Sequence, residues 1–411
     1  MLTNSEVTPA VNQPGEYRAP ARQAPLRVAI ISDFLEEQWP SMNLVADMLT
    51  ECLRNQPAEG VTPTQVRPAM RWRLTRAPLI GTKRTALNGD RLWNRFIDYP
   101  RALRSRARDF ELFHIVDHSY SQLIHSLAAD RTVVTCHDLD TFRSVLEPER
   151  EPRPRWFQAL TRKILSGFRQ AAHVMAVSQA TRDELLHYGL VSADRVSVVP
   201  NGVHPSCSPL PNAQADALAD GFMPEATQDA ACLLSVGSTL ARKRLDVMLR
   251  VFARVRRELP QTRLVRVGGF TPAQDELIRE LNIGEAIVNL PFLERDVLAA
   301  VYRRATLLML TAEAEGFGLP VIEAMACGCP VGASDIPVLR EVGGPAAVFC
   351  PLGNIEAWSE TLIELLKERL KQPGHWQQRS QAGIEWTRRF TWAENARQTA
   401  GIYRKVMGND K

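Results

Sequence analysis

Long apolar runs are missing from this 411-residue chain, and no stretch approaches the ~20 consecutive apolar residues that a membrane helix needs. The first 25 residues contain Pro9, Pro14, Pro20 and Pro25 but no apolar core segment, so they read as a disordered lead-in rather than a secretory signal. Cysteine is sparse and scattered. Seven thiols, an odd number with no framework spacing, point to a reduced, cytoplasmic chain. Cys327 and Cys329 have no second Cys or His pair at zinc spacing, so no metal site is expected. The Walker pattern G-x-x-x-x-G-K-[ST] and the dinucleotide pattern G-x-G-x-x-G are both absent.

Strong net charge is also lacking: the chain carries only +4. That charge is uneven. Residues 67–108 hold twelve lysines and arginines against Asp90 and Asp98, a local excess of +10 that leaves about −6 for the rest. Such a stripe is either a solvated basic surface or a surface for nucleic acid, an anionic membrane or an acidic substrate. Trp72, Trp93, Phe96 and Tyr99 lie within it and favour an interface. No nucleic-acid-binding motif accompanies it, so nucleic acid is not the expected partner.

What the chain does have is alternation. From residue 26 onward, short apolar runs such as "LRVAIIS" (26–32), "TVVTCHD" (132–138) and "AHVMAVS" (172–178) alternate with helical patterns. Ser41 reads as the cap of the first helix, over 41–53. The pattern breaks across 204–230, which is rich in proline and polar residues, and restarts at "CLLSVGS" (232–238). The expectation is an α/β chain with two Rossmann-like, doubly wound parallel-sheet domains, over 26–203 and 231–388. Residues 204–230 are a linker, and residues 389–411 form a helical tail. Ligands of such sheets bind beyond the carboxyl ends of the strands, which places a cleft between the domains.

Three stretches could bring chemistry to that cleft. In "EGFGLPVIEAMACG" (315–328), Pro320 suits the first turn of a helix and Gly328 its end. Gly316 and Gly318 would let a ligand approach the backbone, and Glu315 and Glu323 would face one space. Spacing alone leaves a second reading, a local cap and a solvated loop acid. In "VGSTLARKRLD" (236–246), Arg242, Lys243 and Arg244 crowd a helix start, where cations oppose the dipole. An anion such as a diphosphate would make them intelligible, and a basic solvated cap is the alternative. In "TCHDLDTF" (135–142), His137 ends a strand and would face the cleft, with Asp138 or Asp140 to orient it; a structural histidine is the alternative. Asn201-Gly202 reads first as a turn at the domain exit.

Taken together, these stretches resemble the retaining glycosyltransferases of family 4, which have the GT-B fold. The resemblance rests on "VGSTLARKRLD", on "EGFGLPVIEAMACGCPV" and on "SDIPVLREVGG" (334–344). "VVTCHDLDTF", "AVSQATRDELL" and "VVPNGV" add to it, and it covers roughly residues 26–405. It implies a nucleotide-diphosphate sugar as donor substrate, a glycan or lipid-linked acceptor, and no required metal or other cofactor. By position, Arg242 and Lys243 would bind the diphosphate. Glu323 would bind the ribose, and Glu315 the donor sugar. The amides of Gly316, Phe317, Gly318 and Leu319 would serve sugar and phosphate, and His137 would sit beside the reacting sugar. Ser238 stands where some members place an arginine, and Asn201 belongs to the junction segment. Donor binding falls to the second domain and the acceptor to the first, with the tail packing back on the first. Other members have a glycine-rich loop after the first strand, but here "SDFLEEQWPSMNLV" (32–45) has no glycine, and Trp39, Pro40 and Ser41 would form a stiffer turn. The competing expectations are a sugar-nucleotide epimerase-like enzyme and a catalytically silent binding subunit on the same fold. Residues 67–108 would dock on an anionic membrane, at its inner face, or on a lipid-linked acceptor.

Overall fold

The computed structural model describes residues 24–77, 84–223 and 230–408. Most of the lead-in expected over 1–25 lies outside them. Two six-stranded sheets organise the chain, each parallel throughout. The first contains β1 (Leu26–Ile31), β2 (Val61–Val66), β3 (Leu112–Ile115), β4 (Thr132–Cys136), β5 (His173–Ala176) and β6 (Val196–Val198), in the order β2-β1-β3-β4-β5-β6. The second contains β7 (Cys232–Val236), β8 (Arg263–Val267), β9 (Ile287–Leu290), β10 (Leu307–Leu310), β11 (Val331–Ser334) and β12 (Val348–Cys350), in the order β12-β11-β10-β7-β8-β9. Helices cover both faces, so the central strands are short runs buried on both sides.

The strand order reverses between β7 and β10 in the second sheet and between β1 and β3 in the first. Loops leaving neighbouring strands there diverge and open a crevice at the carboxyl ends. The segments singled out from sequence leave β4, β7 and β10, and so are delivered to one place.

Several elements differ from expectation. Strand β2 carries Pro63 and is an edge strand, the position where a missing N–H is tolerated, and for that reason it did not read as a strand. The first helix runs over Pro40–Asn55, one residue ahead of the expected cap at Ser41. Trp39 occupies the cap position without a side-chain bond, and Pro40 opens the helix. The stretch 204–230 is more than a linker, because it contains a helix over Ala213–Asp220 capped by the Asn212 side chain. Asp216 ties that helix to Arg303 (2.6 Å) and Arg304 (3.0 Å) of the helix Arg295–Arg304.

The last helix, Trp392–Val406, lies on the first domain. Ala396, Ala400, Ile402 and Tyr403 join Val28, Ile30 and Leu49 in one core. To get there the chain passes Gly202, where a Cβ would lie 2.3 Å from the Trp392 nitrogen, so glycine is needed for the crossing. Tyr403 Oη sits 2.7 Å from His114 Nδ1, and His114 Nε2 sits 2.7 Å from Thr135 Oγ1, all within the core. Burial, followed by the charge of His137, pushes His114 down to about 3.

Tyr403→Phe leaves a buried ring nitrogen without its partner and is expected to cost about 1–3 kcal/mol, read as a lower urea midpoint. Because the folded His114 value lies below its ordinary 6.5, the folded state resists the proton that the unfolded chain accepts. Stability is therefore expected to fall as pH drops from 6.5 toward 3, which thermal melts at pH 7 and pH 5 would show.

Candidate functional site

A short 3-10 turn over Ala241–Lys243 follows β7 and ends at Arg244, whose φ of 48° is left-handed. The hydroxyl of Thr311, just beyond β10, donates to the carbonyls of Lys243 (3.2 Å) and Arg244 (3.0 Å). The Glu313 amide donates to the Arg242 carbonyl at 2.8 Å. The cationic turn is thereby fixed to the loop that carries Glu315.

The three basic side chains then separate. Arg244 turns to Asp246 and Glu313, at 3.0 and 3.2 Å. Lys243 pairs its ammonium with Glu315 Oε1. Arg242 Nη1 donates to the Ala314 carbonyl at 2.9 Å and lies 3.9 Å from Glu315 Oε2. Its other nitrogens reach the first domain, 3.4 Å from Asp138 and 2.5 Å from Asp140. Burial works against the Arg242 charge, but Asp138, Asp140 and Glu315 together raise its pKa above the guanidinium value. Burial, and then the charge of Asp138, raise Asp140.

The two aspartates thus pair with Arg242 instead of orienting His137, as had been expected of one of them. The His137 ring is held by Val116, whose carbonyl lies 2.7 Å from Nε2. A carbonyl only accepts, so Nε2 carries the hydrogen and Nδ1 is left as an acceptor. Burial lowers the His137 pKa, opposed by Asp117.

Gly316 also has a different task from the one expected. A Cβ there would lie 1.8 Å from the His137 carbonyl oxygen, so the space opened by its missing side chain is filled by the first domain, not by a ligand. The Gly316 carbonyl accepts from Ser178 Oγ (2.9 Å) and Thr181 Oγ1 (3.3 Å) of the first domain. In return, Glu341 of the second domain accepts from the amides of Gln179 (2.8 Å) and Ala180 (3.2 Å). The segments "AVSQATRDELL" and "SDIPVLREVGG" are therefore two halves of an interdomain clasp.

Between the domains lies a cleft of about 350 Å³. His137, Asn201, Ser238, Arg242, Lys243, Glu315 and the run Gly316–Leu319 all line it. The glycine-free loop supplies Gln38, Trp39, Pro40, Ser41 and Met42, so a proline-started helix N-terminus stands where a glycine loop would be. A second N-terminus enters at Gly318, whose φ of 93° caps the helix Leu319–Ala326. Two helix N-termini and two cations meeting at one crevice suit an anion.

Glu323 is the exception to the expected constellation. It lies one turn beyond Leu319, ~5.4 Å deeper, and does not line the cleft. The Tyr302 hydroxyl donates to its carboxylate at 3.0 Å, and burial raises its pKa. The loop bearing Ser238 is held by Arg266, which sequence reading passed over. This buried guanidinium donates to the carbonyls of Gly237 (2.6 Å), Ser238 (3.1 Å) and Gly269 (3.2 Å), and burial pushes it down to about 10. The available signal was a charge inside the apolar strand "RLVRV".

Among the described residues, no helix is long and apolar enough to cross a membrane. The family model for glycosyl transferases group 1 matches residues 222–383, and that for glycosyltransferase family 4 matches residues 45–206. O-antigen chain mannosyltransferase B of Escherichia coli is 25% identical over 317 residues, covering 75% of this chain and 80% of that protein. Sucrose-phosphate synthase of Thermosynechococcus elongatus superposes with a TM-score of 0.71 at 19% identity, covering 93% of this chain and 99% of the other. Anabaena HepE, solved in complex with UDP-glucose, superposes with a TM-score of 0.60 at 17% identity, covering 94% and 97%. The two family matches flank the same cleft from either domain, and the chain belongs to the family 4 (group 1) glycosyltransferases, with the GT-B fold.

Proposed function

We propose that this glycosyltransferase takes its sugar from a nucleoside-diphosphate donor and passes it, with retention of configuration, to a glycan or lipid-linked acceptor in glycoconjugate synthesis. One observation carries the donor reading: Arg242 and Lys243 converge with two helix N-termini at the switch point of the second sheet. The HepE complex with UDP-glucose supports it from the same fold.

Departure of a nucleoside diphosphate builds negative charge on the leaving oxygen. Lys243, Arg242 and the Leu319 end of the helix can stabilise that charge, so a metal is not required. Arg242 is held in reserve by Asp138 and Asp140, which the diphosphate must displace. Glu315 supports Lys243 and is placed to accept hydrogen bonds from sugar hydroxyls. Ribose hydroxyls reaching one turn below Leu319 would meet Glu323. The acceptor approaches from the His137 and Trp39 side. Nucleotide release that is equally fast with and without any acceptor would speak for a hydrolase or synthase instead.

The first domain also carries a membrane-docking surface, in this reading. Residues 67–108 are strongly basic, and Leu74, Leu92 and Trp93 are exposed among them.

Lys243→Ala removes a charge-assisted contact worth about 1.5–3 kcal/mol, so donor Kd should rise by about 10- to 150-fold. Unchanged nucleotide affinity in calorimetry would sink the diphosphate assignment. Transfer should persist in excess EDTA, and a loss restored by magnesium would overturn the metal-free reading. Gly316→Ala drives a methyl group into the His137 carbonyl, so kcat should fall by about tenfold or more as the clasp is forced apart. The chain should float with phosphatidylglycerol vesicles at low salt and be released by about 0.5 M salt, because such attraction is screened. Failure to float even at low salt counts against the docking surface.

A further inference from the structure

A second cavity, of about 480 Å³, lies in the first domain between the helices Arg84–Trp93 and Arg155–Phe168. It adjoins the donor cleft. Trp39 lines both cavities, and Asp140 in its wall is the carboxylate that pairs with Arg242. The donor assignment uses nothing else in it.

Its lining is sharply divided. The outer lip is apolar: Leu92, Trp156 and Phe157 are all exposed, Trp156 by 60%. Leu74, also exposed, packs against Gly89 of the helix Arg84–Trp93. Exposed apolar side chains gathered in this way mark a binding surface more often than chance.

The floor is polar and incompletely paired. Arg95 is committed to Ser119 (2.8 Å) and to the face of Tyr120 (4.0 Å), with Glu37 at 3.8 Å. Arg153 is committed to Glu151 at 2.7 Å. Arg91 has no ion pair among the described residues, and its Nε is buried without a partner. Ser144, 2% exposed, likewise leaves a buried Oγ unpartnered. Unmet buried donors are costly unless a ligand supplies acceptors.

An uncommitted cation and a free hydroxyl at the floor, an apolar lip at the rim, and a basic surface around it fit one kind of molecule. We infer that this cavity is the acceptor site, and that it takes the anionic, oxygen-rich head of a membrane lipid, with the acyl or prenyl part leaving over the Leu92–Trp156–Phe157 lip. The inference rests on the transferase reading for the word acceptor. Its lipid chemistry rests on the cavity and the basic surface around it. The head would bring phosphate oxygens to Arg91 and Ser144 and its terminal hydroxyls past Trp39 toward the donor cleft. The described basic residues of 67–77 and 84–108 would hold the lip against an anionic surface, so the lipid need not leave the bilayer fully.

Isothermal titration of the full chain with dihexanoyl phosphatidylglycerol, kept below its micelle concentration, tests this directly. Saturable binding is expected, weakened about tenfold or more by Arg91→Ala and by Trp156→Ala. Trp156 is exposed, so that variant should fold normally. Donor affinity should be unchanged in both variants. No saturable binding by the wild type, or binding indifferent to both substitutions, overturns the proposal. Inorganic phosphate binding as tightly as the lipid also overturns it, because the lip would then contribute nothing. The titration contains no donor. A wild type that binds lipid but releases no nucleotide from any donor would count against the transferase reading and leave the lipid site standing.

Discussion

The distance between the two sheets is set by a residue with no side chain. At Gly316 the backbone of the second domain meets the carbonyl of His137 in the first, with no room for a Cβ. Ser178 and Thr181 then bind the Gly316 carbonyl from one side, while Glu341 binds the first-domain helix start from the other. Everything that lines the cleft depends on this contact. Glu315 precedes the glycine, Phe317 follows it and packs edge-on to Phe390 at the crossing of the tail, and His137 is its opposite wall. A shift here moves the Glu315 loop, the His137 wall and the tail together, so the clasp is both a hinge stop and a ruler.

The electrostatics follow from that closeness. Two cations brought next to a closed interface cannot be left unpaired, because a partly desolvated charge is costly without a counter-charge. Glu315 serves Lys243, and the first-domain aspartates serve Arg242. The pairing with Asp138 and Asp140 spans the domains and occupies the same guanidinium that a diphosphate would use. On the proposed diphosphate role, donor binding would be an exchange of anions at Arg242, with a smaller net gain than a bare cation would give. That exchange would also break an interdomain ion pair as the cleft fills. It would couple occupancy of the cleft to the freedom of the loop bearing His137, Asp138 and Asp140.

Much of this was legible in the sequence. Two parallel-sheet domains follow from the alternation of short apolar runs and helical patterns, and the segments leaving β4, β7 and β10 could be placed at strand ends before any coordinates. What escaped were features set by tertiary contact. Pro63 hid β2, because a proline in a strand is acceptable only at an edge and edges are not visible in a sequence. The Ala213–Asp220 helix was hidden among prolines and polar residues, and its stability comes from Arg303 and Arg304, more than 80 positions away. Gly316 was read as an opening for a ligand because a glycine looks the same whether a ligand or another backbone fills the space. Glu323 shares a helix face with Leu319, but depth below the cleft is not encoded in spacing.

Arg266 shows how such a contact can work through geometry and charge at once. Placing a guanidinium in the middle of a sheet without a carboxylate is unfavourable unless every N–H finds an acceptor. Here the acceptors are the carbonyls of Gly237, Ser238 and Gly269 and the Ser235 hydroxyl, all in or just beyond two neighbouring strands. An apolar residue would fill the volume but leave those carbonyls unpaired and the two loops free to move apart. A lysine has one nitrogen and could not span them. Held at about 10 by burial, the side chain is still charged near neutral pH. Its positive charge therefore lies beneath the Gly237–Ser238 wall, and among the described residues no carboxylate forms an ion pair with it. The loop proposed to accept a diphosphate is thus both shaped and polarised from below by a residue that does not line the cleft.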